Sequence, residues 1–84
     1  MKTGSVAYTF APIGSISKAV GLGPIVSARR KEQGLTQAEL AGLSQTGIRF
    51  IGELEKGKGT LQIDKVLHVL GLLGLDVVIM ERRN

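Results

Sequence analysis

The run Leu35-Thr36-Gln37-Ala38-Glu39-Leu40 restricts this chain more than any other stretch. Thr36 is an N-cap by type, because its hydroxyl accepts a hydrogen bond from a first-turn backbone N–H. Glu39, three residues on, is spaced to bond back to the Thr36 N–H and complete a capping box. Leu35 and Leu40 flank the cap as a hydrophobic staple. A helix start is thereby tied to a single residue, and its neighbours must fit that register. Ser44-Gln45-Thr46-Gly47 reads as a turn, so the capped helix is predicted to end near Leu43. A third helix is expected from about Ile48 to Glu55, stopping at Lys56-Gly57-Lys58-Gly59. Upstream, Ser17 or Gly23 opens a first helix, with Pro24 suited to its first turn and Gly34 to its end. Two short helices joined by a tight turn, with another helix before them, form a helix-turn-helix outline.

Downstream, Thr60-Leu61-Gln62 leads into a fourth helix. Ile63, Val66, Leu67, Leu70 and Leu73 follow helical spacing and predict its buried stripe. Gly71 and Gly74 weaken its end. Leu75-Asp76-Val77-Val78-Ile79-Met80 is β-branched and short, which predicts a strand. Leu75, Val77 and Ile79 point one way and Val78 and Met80 the other, so both faces are apolar. Such a strand finds no partner in a helical chain unless the N-terminal arm supplies one. Pairing with its symmetry mate is the expected remedy, giving a twofold dimer with an intersubunit antiparallel ribbon. Met1 to about Ile16 lacks a sustained period, although Val6, Tyr8 and Phe10 alternate like a short strand ending at Ala11-Pro12. The expected organisation is an arm over residues 1–22, disordered or docked on a partner, then a helix-turn-helix domain over 23–74. A dimerisation strand and basic tail complete it over 75–84.

Composition narrows the chemistry. At 84 residues the chain makes one domain that buries only about 60–65% of its unfolded surface, which favours a second subunit. It has no cysteine and one histidine, so neither a disulfide nor a metal site is expected, and a reducing cytoplasm is the natural home. The net charge of +4 favours polyanions or an acidic partner, and the positive excess lies in the first two thirds of the sequence. Tyr8, Phe10 and Phe50 are too few for a base-stacking platform. No apolar run approaches the ~20 residues of a membrane span, and no targeting signal is visible. Lys56-Gly57-Lys58-Gly59 lacks the spacing of a phosphate-binding P-loop, and no catalytic constellation appears. No cofactor and no enzymatic activity are expected.

These residues resemble the Cro/repressor-type helix-turn-helix family. Leu35-Thr36-Gln37-Ala38-Glu39-Leu40-Ala41 and then Arg49-Phe50-Ile51-Gly52-Glu53-Leu54-Glu55-Lys56-Gly57-Lys58 align with its pattern without a gap. The chain is similar above all to the HipB-type antitoxin branch, in which such a domain is followed directly by a dimer-building β-strand. The resemblance runs from roughly Gly23 to Met80. It implies an all-α, lambda-repressor-like domain of four to five helices, with the C-terminal strand forming the ribbon of a homodimer.

It further implies that the third helix enters the DNA major groove while the second lies across the backbone. Arg49 is then the leading base reader, since a guanidinium grips guanine O6 and N7 together. Ile48 faces a thymine methyl and Glu53 a cytosine amine. Gln37 matches the family's phosphate-contacting glutamine, and Lys56 and Lys58 lie near phosphates. The family's turn has a glycine, an apolar residue and a Ser or Thr cap, where this chain has Gln45, Thr46 and Gly47. Gly52 replaces a residue that normally reaches toward bases. These departures imply fewer direct base contacts, with preference resting on Arg49, phosphate contacts and operator shape.

Other residues have plainer readings. Arg30 and Glu55 match positions that form a partly buried ion pair between helices one and three. Ile51 and Leu54 read as core, and Phe50 equally as packing or as surface contact. His68 reads as a bystander and Arg82-Arg83 as a solvated tail. The functional expectation is a repressor on double-stranded operator DNA, cytoplasmic and nucleoid-associated when bound. As a HipB-type antitoxin it would also hold a HipA-type serine/threonine kinase toxin inactive. The alternative is an interaction module that sequesters the toxin with little or no sequence-specific DNA binding.

Overall fold

A computed structural model describes residues 12–82, and the described chain is all-α. Four helices follow in order: α1 (Ala19–Glu32), α2 (Gln37–Ser44), α3 (Ile48–Glu55) and α4 (Ile63–Leu72). α3 packs against α1 and α2, and α4 closes on α2. Val26 of α1, Leu40 and Ala41 of α2, Ile51 and Leu54 of α3, and Val66, Val69, Leu70 and Leu73 at α4 form one buried core. Leu22, Leu35, Phe50, Leu61 and Leu75 pack on its margin.

Of the two expected openings, Ser17 and Gly23, the structure takes the earlier, with α1 starting at Ala19. Lys18 is its N-cap, and Pro24 lies inside the helix. A boundary after residue 22 therefore cuts α1, and residues 19–22 belong to the domain. Tertiary packing explains the outcome. Leu22 sits against the core, and Gly23 is buried against the end of α3, so close that a Cβ would overlap the Glu55 carbonyl. That contact outweighs the missing proline N–H.

The buried face of α4 differs in phase from the predicted stripe. Val66, Val69, Leu70 and Leu73 are buried, whereas Ile63 and Leu67 stay exposed. Val69 extends the apolar arc toward one side, and the core takes that side because α2 lies there. Arg29 Nε and Gln33 Nε2 donate to the Leu73 carbonyl at 2.8 and 3.0 Å, bolting the end of α1 to the end of α4. The chain then turns away at Gly74.

In the single chain the strand expected over Leu75–Met80 is not seen. Residues 75–82 carry neither helix nor strand, because no ladder partner lies beside them among the described residues. Leu75 rests on the core, while Val77, Val78, Ile79 and Met80 are exposed, Ile79 at 95%. The alternating Val6, Tyr8 and Phe10, and Arg83 of the tail, lie outside the described residues. No described helix is long and apolar enough to cross a membrane.

Candidate nucleic-acid interface

The start of α2 is built as a reciprocal cap. The Glu39 N–H donates to Thr36 Oγ1 at 3.0 Å, and the Thr36 N–H donates to Glu39 Oε1 at 2.8 Å. The Thr36 backbone N–H holds the Glu39 carboxyl below its ordinary value, with the Thr36 hydroxyl adding to it. The cap sets where α2 begins and so where the turn delivers α3.

α3 is anchored from behind by charge. Arg30 Nε and Nη2 donate to Glu55 Oε2 and Oε1 at 2.6 and 3.0 Å, and Nη1 donates to the Leu35 carbonyl at 2.8 Å. The two side chains are only 10% and 8% exposed. Gln37 Nε2 adds a 3.0 Å bond to Glu55 Oε1, so one carboxylate joins α1, α2 and α3. Burial works against the Glu55 charge, but the hydrogen bonds from Arg30 and Gln37 and the charge of Arg30 hold its carboxyl below the ordinary range. An amide N–H of Gln37, expected at a phosphate, is thus turned inward to Glu55.

The outward side of α3 is different in kind. Arg49 is 88% exposed and Ile48 55%. Arg49 Nε stands 3.4 Å from Glu53 Oε2, and Lys58 Nζ stands 3.1 Å from the same oxygen. The Lys58 bond, more than Arg49, keeps the Glu53 carboxyl below its usual value. One oxygen of Glu53, expected to face a base, thus lies beside two cations. Lys56 is exposed just past the helix. Over Gly52 there is open space, so the α3 backbone is open to close approach there. Ile51 and Leu54 are buried, and Phe50 packs on the core margin. His68 is exposed on α4.

The turn between α2 and α3 has features the sequence did not announce. The Ser44 hydroxyl, buried, donates to the Leu40 carbonyl at 2.8 Å, and its oxygen lies 2.8 Å from Thr46 Oγ1. Thr46 is thereby a structural part of the turn. Gly47 is the N-cap of α3 and supplies no side-chain cap. Gln45 takes the left-handed conformation, with φ +58° and ψ 32°. The Ser-x-Thr spacing was the available signal for the hydroxyl link, and the family's turn glycine, replaced here by Gln45, was the signal for the positive φ.

Comparison with known proteins agrees with this geometry. Residues 26–79 match the family described as Helix-turn-helix, HTH_3. An uncharacterised HTH-type transcriptional regulator, y4mF, from Sinorhizobium fredii (strain NBRC 101917 / NGR234) is 49% identical over 72 residues. That match covers 82% of this chain and 95% of the relative. Among solved structures, a HipB–O4 20mer complex superposes with a TM-score of 0.75 at 20% identity, covering 84% of this chain and 100% of that one. A HipA–HipB–O2–O3 complex contains a chain that matches with the same score, identity and coverage. At such identity the likeness is one of fold, while the family match spans most of the sequence. With its capped α2, its tight turn and its exposed α3, this chain belongs to the helix-turn-helix family.

Proposed function

We propose that the chain is a transcriptional regulator that binds double-stranded operator DNA through α3. The observation that carries this is the two-sided character of that helix. Its inner face is locked by Ile51, Leu54 and the Arg30–Glu55 pair, while its outer face presents Ile48 and Arg49 beside Lys56 and Lys58. A rigid helix with an exposed guanidinium at its start suits major-groove reading, and the flanking lysines suit phosphates. The relative named as an HTH-type transcriptional regulator supports the same class.

The finer reading is a homodimeric repressor of inverted-repeat DNA, with half-sites about 34–36 Å apart, one helical turn. Residues 75–80 would form the intersubunit ribbon. It is also an antitoxin that holds a HipA-type serine/threonine kinase inactive. The fold shared with HipB chains, seen with DNA and in a HipA–HipB complex, supports this assignment.

A gel shift on the DNA immediately upstream of the chain's own reading frame tests the DNA-binding claim. Arg49→Ala is expected to weaken binding by about 1–3 kcal/mol, the worth of one good base pairing by a side chain. Its exposure means that folding should be unchanged by circular dichroism. Equal affinity in the variant would remove Arg49 as the leading reader. Failure of the unaltered chain to shift DNA while still binding the kinase would favour the interaction-module reading.

A further inference from the structure

We propose that Gln45 is a DNA-contacting residue, its amide reaching the duplex beside Arg49. The proposal rests on the reading of α3 as the DNA-binding helix.

All four helices end in the same way. The N–H two residues beyond each turn reaches back to the last helical turn, as in Leu35 N–H to the Arg30 carbonyl, Thr46 to Ala41, Lys58 to Glu53 and Leu75 to Leu70. This closure needs one residue in the left-handed region, and glycine takes it without a Cβ penalty. Three of the four ends use glycine: Gly34 at φ +72°, Gly57 at +85° and Gly74 at +74°. The fourth uses Gln45. Glutamine is not among the residues that visit this region readily, so the helix-turn-helix turn alone carries local strain. Strain held at one of four equivalent places marks a position where the side chain itself is wanted.

The turn does not need that side chain for its own structure. Gln45 is exposed, and the hydrogen bonds that brace the turn run between Ser44, Thr46 and the α2 carbonyls. Its immediate neighbours leave it room: a Cβ at Gly42, whose carbonyl accepts from the Gln45 N–H, would meet open space, and one at Gly47 would only reach the Arg49 backbone nitrogen. The other glutamine that the sequence pointed toward DNA is committed inside the fold. Gln37 Nε2 donates to Glu55, while Arg49 is 88% exposed and stays available beside the turn. Gln45 is the long amide left at this corner among the described residues. Its donor and acceptor match adenine N6 and N7, and its donor alone matches a phosphate oxygen.

The test compares the full chain with Gln45→Gly on a labelled duplex from its own upstream DNA, with thermal melting run in parallel. Glycine relieves the left-handed backbone, so the melting temperature should hold or rise. DNA affinity should nevertheless fall about tenfold or more. Unchanged affinity would overturn the inference, and a parallel loss of stability and affinity would do the same by giving Gln45 a structural role. If the unaltered chain binds no DNA, the function reading falls together with the inference. If it binds and Gln45→Gly binds equally, only the inference falls.

Discussion

Arg30→Ala is expected to remove about 3–5 kcal/mol of folding stability, the cost of leaving one member of a buried ion pair alone. A domain of this size has only about 5–15 kcal/mol in total, so the variant should be close to unfolding at body temperature. The reason is geometric. Glu55 is 8% exposed and would keep the neutral side chains of Gln37 and Ser27 in place of the bidentate guanidinium, while the Leu35 carbonyl would lose its donor from Arg30. Urea denaturation of the two proteins measures the difference. A loss below about 1 kcal/mol would place the pair with ordinary surface bridges and contradict the anchoring role. Replacing both partners together, as in Arg30→Met with Glu55→Leu, should recover much of the loss, because apolar residues of similar volume carry no desolvation penalty.

The same pair gives an acid dependence of known sign. The folded Glu55 carboxyl lies below its ordinary value of 4.5, so its contribution is fully present above that pH. It is lost as pH falls through the lowered folded value, where the proton is taken up. The gap between the unaltered chain and Arg30→Ala should therefore be widest above about pH 4.5 and narrow in stronger acid.

Deleting residues 76–84 is expected to abolish the proposed dimer and to weaken operator binding by about 10²–10⁴-fold. Val77, Val78, Ile79 and Met80 carry exposed apolar surface that one chain leaves unburied, and Leu75, which seats on the core, is retained in the truncation. The large effect on DNA comes from linkage. A dimer presents two recognition helices, so its second half-site is bound at high effective concentration, which a monomer loses. Light scattering reports the mass, and fluorescence anisotropy on a two-half-site duplex reports affinity. An unchanged mass after deletion would refute the ribbon.

What the sequence makes legible follows the range of the interactions. The Thr36–Glu39 box depends on residues three apart, and it forms with the geometry its spacing implies. The span of α3 is similarly local. α1 was legible at its Gly34 end, and at its start as a choice between Ser17 and Gly23. The cap at Lys18 falls one residue past Ser17, and what decides against Gly23 is its burial by a contact with Glu55 that lies far along the chain. In α4 both sides of the apolar arc offered a buried stripe, and only the position of α2 chooses Val69 over Ile63 and Leu67. The strand over Leu75–Met80 needs a second backbone that a single chain does not supply. At the site, Arg49 was legible as an exposed cation on α3. The contacts of Glu53 and Gln37 within the chain were not, since pattern alone does not set Lys58 beside Glu53 or Glu55 beside Gln37.

The central claim is that α3 and its flanking cations hold DNA. The most direct measurement is a titration of the unaltered chain against its own upstream duplex over stepped salt concentrations. Arg49, Lys56 and Lys58 on each half-site predict tight binding at low salt and a straight, steep fall of log affinity against log salt. Binding that is absent at low salt, or flat across the series, would contradict the account.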